Sequence, residues 1–113
     1  MSLLSAGTTL QGEVNLAGQS LGFRFVITAA EDGHFASQNQ LCTPDFSAVL
    51  EDTPGSGTYS EVDADTYRLV WSDNSSNFEA TLNTVTRSMF GTFTQVAGDM
   101  TGQSGSFTLS VVA

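Results

Sequence analysis

Apolar residues recur at every second position through most of this chain. In Leu10-Gln11-Gly12-Glu13-Val14-Asn15-Leu16 each even position is apolar or glycine and each odd one is polar. Leu21, Phe23, Phe25, Ile27 and Ala29 then share a face, opposite Gly22, Arg24 and Thr28. The pattern returns in Tyr67, Leu69 and Trp71, in Phe78, Ala80 and Leu82, in Met89, Gly91 and Phe93, and in Phe107, Leu109 and Val111. Side chains alternate faces along a strand, so a sustained period of two predicts half-buried antiparallel strands.

Turn-forming clusters separate these runs: Ala17-Gly18-Gln19-Ser20, Glu31-Asp32-Gly33, Pro54-Gly55-Ser56-Gly57, Asp63-Ala64-Asp65, Ser72-Asp73-Asn74-Ser75-Ser76 and Ala97-Gly98-Asp99. Short links make hairpins, and successive hairpins make a meander. The prediction is an all-β fold, an antiparallel meander of about eight to nine strands that closes as a small β-barrel or folds over as a sandwich, because open edges invite aggregation. Gly12, Gly22 and Gly91 suit the bends that closure needs. A single barrel domain over 1–113 fits the chain length.

One segment supports two readings. Thr43-Pro44-Asp45-Phe46-Ser47-Ala48-Val49-Leu50 alternates like a strand, yet begins like a helix, with Thr as N-cap and Pro in the first turn. Glu51 and Asp52 would oppose the dipole at the end of that helix. A short helix at 44–51, plugging or covering an all-β body, therefore stands beside a strand.

Charge excludes some partners. The chain has three arginines (Arg24, Arg68, Arg87), no lysine and twelve acids, for a net charge of −9. Ten of the acids fall between Glu31 and Glu79. Nucleic acid binding needs a basic footprint, and an anionic membrane surface would repel this chain, so neither is an expected partner. No apolar run is long enough for membrane insertion as a helix. Many hydroxyls and few charges favour a periplasmic or extracellular protein over a cytoplasmic one. Cys42 is the only cysteine, which rules out an intrachain disulfide and leaves a homodimer through Cys42 as the one redox-sensitive form.

Gly18-Gln19-Ser20-Leu21-Gly22 matches the Gly-x-Ser-x-Gly pattern of a hydrolase nucleophile elbow. That elbow needs a strand, a tight turn and a helix in a large α/β sheet. Here Phe23-Arg24-Phe25-Val26-Ile27 follows, with strand periodicity. Residues 18–27 also align without gaps on 102–111, both reading GQSxxFx[FL]x[IV]. The shared element is a turn that launches a strand, and it hints that the first and last hairpins occupy equivalent places. No catalytic residue is assigned.

Other candidate sites are thinner. Asp63, Asp65, Asp73 and Asn74 are oxygen-rich, but they sit at hairpin tips on opposite ends of one strand and are ordinary turn formers. His34 has no cysteine partner for a metal and reads as a solvent-side residue. Glu61 and Glu79 read as outward strand acids, and Gly55-Ser56-Gly57 as a flexible turn. No cofactor and no metal is expected.

The interior carries the functional expectation. Barrels of about eight strands are either filled by their own side chains or hold one small ligand. The inward residues are bulky, which favours a filled core. Tyr67 and Trp71 carry polar tips that suit a barrel mouth, and with Phe25 and Phe93 they form the candidate ligand-binding set. In architecture alone the predicted barrel resembles calycin-type barrels, which bind small molecules. The leading expectation is a non-catalytic binder of a small apolar or sugar-like ligand. A secreted or surface interaction module acting through acidic loops is the alternative, and a small isomerase- or cyclase-type enzyme the third reading.

Overall fold

A computed structural model describes residues 3–98 and 101–112. Eight strands run in order around a closed antiparallel barrel: β1 (Thr9–Leu16), β2 (Gln19–Glu31), β3 (His34–Cys42), β4 (Val49–Asp63), β5 (Thr66–Ser72), β6 (Ser76–Asn83), β7 (Ser88–Gln95) and β8 (Ser104–Val111). Every strand pairs with its sequence neighbours, and β1 closes the ring by pairing with β8. The predicted meander and its closure as a barrel are both present.

The repeated ten-residue segments lie at that closure. β2 and β8 are the two neighbours of β1, and Val14 faces Leu21 on one side and Phe107 on the other. Phe23 and Phe107 occupy matching positions in the two segments and meet edge to face, with centroids 5.3 Å apart. In the first copy Ala17 (φ 52°) and Gly18 (φ 79°) form the two-residue turn into β2. Consecutive positive φ values give the turn the twist that matches flanking strands. Ser20 lies exposed on β2, opposite Asn15. The pentapeptide is a hairpin.

Three local expectations need correction. Residues 43–48 are a loop, neither helix nor strand, and β4 begins at Val49. The groups that could have capped a helix close the loop: Asp45 Oδ1 accepts from the Ser47 amide at 3.1 Å and from its hydroxyl at 2.7 Å, and the Ala48 amide donates to Thr43 Oγ1 at 3.1 Å. Phe46 adopts φ 60°, which a helix cannot contain.

The second correction is Pro54-Gly55-Ser56-Gly57, which is the middle of the 15-residue β4 and not a turn. A Cβ at Gly57 would lie 2.5 Å from the Trp71 Cβ and closer still to the Val70 carbonyl. Glycine here lets β4 press against β5 where the barrel's largest side chain sits. The third is Ala29. The β2–β3 register shifts between Ile27 and Ala29, so Ala29 faces out and Ala30 packs on the core. Gly12 and Gly91 lie at close strand approaches, opposite backbone of β8 and β6.

The core is a chain of aromatic rings. Trp71 is 2% exposed and stacks on Phe78 at 5.0 Å and 8°. Phe25 lies 4.7 Å away, while Phe35 and Phe107 meet the indole edge to face at 5.8 and 6.0 Å. Such pairs add about 0.5–1.5 kcal/mol each beyond the area they bury. The interior is filled by its own side chains.

Candidate functional site: the barrel mouth

The two ends of the barrel differ because different residues finish them. At one end lie the turns β2–β3, β4–β5 and β6–β7, with the segment before β1 across them. Leu4 is 7% exposed there, Gly7 donates to the Ile27 carbonyl at 2.7 Å, and Tyr59 and Tyr67 meet at 6.2 Å. This end is closed.

At the other end, between the links β1–β2, β3–β4, β5–β6 and β7–β8, a cleft of about 60 Å³ opens. Val14, Leu16, Leu21, Phe23, Leu41, Phe78 and Phe93 form its apolar wall. Asn39, Glu51, Thr53, Asp73, Ser75, Ser76 and Gln95 form the polar side. The gap arises from unequal strand lengths. Pairing of β4 with β5 begins only at Ser56↔Ser72, so Val49–Gly55 runs past the end of β5 and leaves the wall split beside the β5–β6 turn.

A hydrogen-bond relay links this mouth to the core. Trp71 Nε1–H donates to Asn39 Oδ1 at 3.2 Å, and Ser37 Oγ donates to the same oxygen at 3.1 Å. Asn39 Nδ2 donates to Asp73 Oδ2 at 2.9 Å. Asp73 Oδ1 accepts the Ser75 amide, the Ser75 hydroxyl and the Ser76 amide at 2.8, 3.0 and 2.8 Å. Ser76 Oγ donates to Gln95 Oε1 at 3.0 Å. Ser37, Asn39 and Ser76 are all buried, so each polar atom needs the partner it has.

The four residues expected to bind ligand do not gather at one place. Phe93 lines the cleft. Trp71 and Phe25 touch each other in the sealed core, with 2% and 0% exposure. Tyr67 is half-buried at the closed end beside Tyr59. Trp71 satisfies its polar tip through Asn39 and so reaches the mouth only by relay. Missed by sequence reasoning were β3 and its inward Ser37 and Asn39. The signal was there, since Phe35, Ser37, Asn39 and Leu41 alternate, but polar residues at the middle positions hid the period.

The remaining candidates lie apart from the cleft. His34 is exposed at the start of β3, and Glu79 pairs with Arg68 on the outer wall at 2.9 Å. Asp63 Oδ1 accepts the Asp65 amide in the β4–β5 turn at 2.9 Å, at the end opposite Asp73. Among the described residues no three of His, Cys, Asp and Glu gather as a metal site. Cys42 has no exposed surface, and burial pushes its thiol above the ordinary range. The 43–48 loop packs beside it on the outer wall. There Phe46 lies against Gly22, and the Arg24 guanidinium sits 5.4 Å from the Phe46 ring centre.

Fold and site together define a small closed antiparallel barrel with a filled core and one open, acidic mouth. No family model matches the chain, and no curated protein matches its sequence.

Proposed function

We propose that the protein is a non-catalytic binding module that takes a small, partly apolar group in its mouth cleft. The observation that carries this reading is the cleft itself, where an apolar wall meets the half-buried Asn39–Asp73 hydrogen bond. Ligand sites are typically apolar concavities with a few convergent polar groups that fix orientation. Size limits the occupant. An apolar cavity of about 150 Å³ takes benzene, and one water needs about 10–15 Å³, so 60 Å³ admits a group of about two to four heavy atoms. A larger ligand would leave most of its body outside.

Two features rank the other readings behind this one. An enzyme needs an acid or base held against the reacting group, but of the two acids lining the cleft Asp73 serves first as the acceptor for four donors in its own turn and relay, and Glu51 stands exposed on β4. An interaction module working by strand addition would use the β4 stretch Val49–Gly55. That stretch carries Glu51, Asp52 and Pro54, and charge and proline blunt an edge against pairing.

A small-fragment screen read by amide chemical shifts tests the proposal. The expected hits move Leu16, Leu21, Leu41, Thr53, Ser75 and Gln95 together. Hits that move only outer-wall amides, or none that move the cleft, would refute it.

A further inference from the structure

We infer that the group accepted by the mouth cleft is a small alkylammonium ion, an inference that rests on the cleft being a binding site. Three observations carry it. First, among the described residues the charged side chains lining the cleft are Glu51 and Asp73, both acids. The chain has no lysine, and its cations lie elsewhere. Arg24 is bound to Gln11 and Gln40 on the outer wall, Arg68 to Glu79, and Arg87 and His34 sit at the closed end.

Second, the two acids leave acceptors open, while several of the cleft's donors are already engaged. The hydroxyl hydrogens of Ser75 and Ser76 go to Asp73 and Gln95, and one Asn39 amide hydrogen goes to Asp73. Asp73 Oδ2 accepts one described bond and has capacity for another. Thr53 adds a hydroxyl oxygen that accepts as well as donates. Glu51 and Asp73 Oδ2 therefore ask an occupant to donate, and an anion would meet two like charges.

Third, the shape fits a cation carried on a short stem. The polar side is continuous with a wall of Leu16, Leu21, Phe23 and Phe93, which would take two or three methylenes while the ammonium faces the acids. The field is reinforced from outside, because the chain's −9 charge raises the local concentration of cations.

The same chemistry has two sources, a free amine and the lysine side chain of a peptide. The test titrates the intact protein with n-butylammonium, 1-butanol, butyrate, methyl glucoside and N-acetyl-lysine amide, following cleft amides and the Trp71 indole N–H by NMR. The expected result is that butylammonium binds about tenfold tighter than butanol, with butyrate and the glucoside weaker still. Glu51→Gln, at an exposed position, should narrow that ratio and leave butanol unaffected. Binding of the lysine amide equal to butylammonium supports the ammonium chemistry and assigns it to a peptide; weaker binding supports a free amine. Butanol or glucoside equal to or better than butylammonium, at the cleft amides, would overturn the cation and leave the binding site standing. Failure of every probe to move those amides would overturn both.

Discussion

The two ends of this barrel are built from the same strands but finished differently. At the closed end Leu4 lies across the opening, and Tyr59 and Tyr67 pack inside it. At the mouth Leu16, Leu21 and Leu41 are only half-buried, and polar side chains complete the lining. The difference teaches where stability and function separate. Apolar and tyrosine side chains close one end, where the buried Thr8 pairs with Ser5, whereas the other holds its shape through a relay whose outermost members remain within reach of solvent.

The largest contrast should appear in truncations at the two ends. Leu4→Ala should cost about 2–4 kcal/mol, as for buried leucines generally. Leu21→Ala should cost about 1 kcal/mol, since much of its side chain already meets water. Urea unfolding of both variants measures the gap, and equal losses would erase the distinction between the ends.

Next in size is the relay. Asn39→Leu removes the acceptor of the Trp71 indole N–H and strands a buried donor, at a cost of about 1–3 kcal/mol. Ser75→Ala, which loses one of three donors to Asp73 Oδ1, should cost under about 1 kcal/mol. Thermal melts of the pair test whether the mouth is held from the inside outward. A larger loss at Ser75 would reverse that order.

A smaller effect concerns the loop over the outer wall. Bonds from Ser47 and Thr43 hold the Asp45 carboxyl at about 2, below its ordinary 3.8. A lowered folded value means that the stabilisation is fully present above 3.8 and is lost as pH falls through about 2. Asp45→Ala should therefore loosen the 43–48 loop at neutral pH and speed labelling of Cys42 by a thiol reagent, while Ser20→Ala should not. Rapid labelling of the unmutated protein would contradict the burial of Cys42, which also disfavours the disulfide-linked homodimer. The smallest effect is that of salt. Screening of the acids between Glu31 and Glu79 over about 8–10 Å should raise the melting temperature modestly, and a flat or falling melt would count against it.

The strands that alternate cleanly were legible in the sequence, and the ones that break the rule were not. β1, β5, β6, β7 and β8 could be read because their inward positions are apolar or glycine. β3 was hidden because Ser37 and Asn39 face inward to serve Trp71. β4 was hidden because Gly55 and Gly57, which look like a turn, make room for neighbouring strands and side chains. In both cases a local pattern yields to a tertiary partner that no short window contains. Of the mouth, Phe93 was anticipated, but the cleft depends on β4 outrunning β5, a fact of register rather than of residue type.

Trp71 emission gives the most direct test that the barrel is filled by its own side chains. With the ring stacked between neighbours and 2% exposed, emission of the native protein should be blue-shifted and nearly immune to acrylamide. It should stay so when the cleft is occupied, because a ligand reaches the indole only through Asn39. Red-shifted emission that acrylamide quenches freely would put the ring in water, and with it every inward assignment along β5.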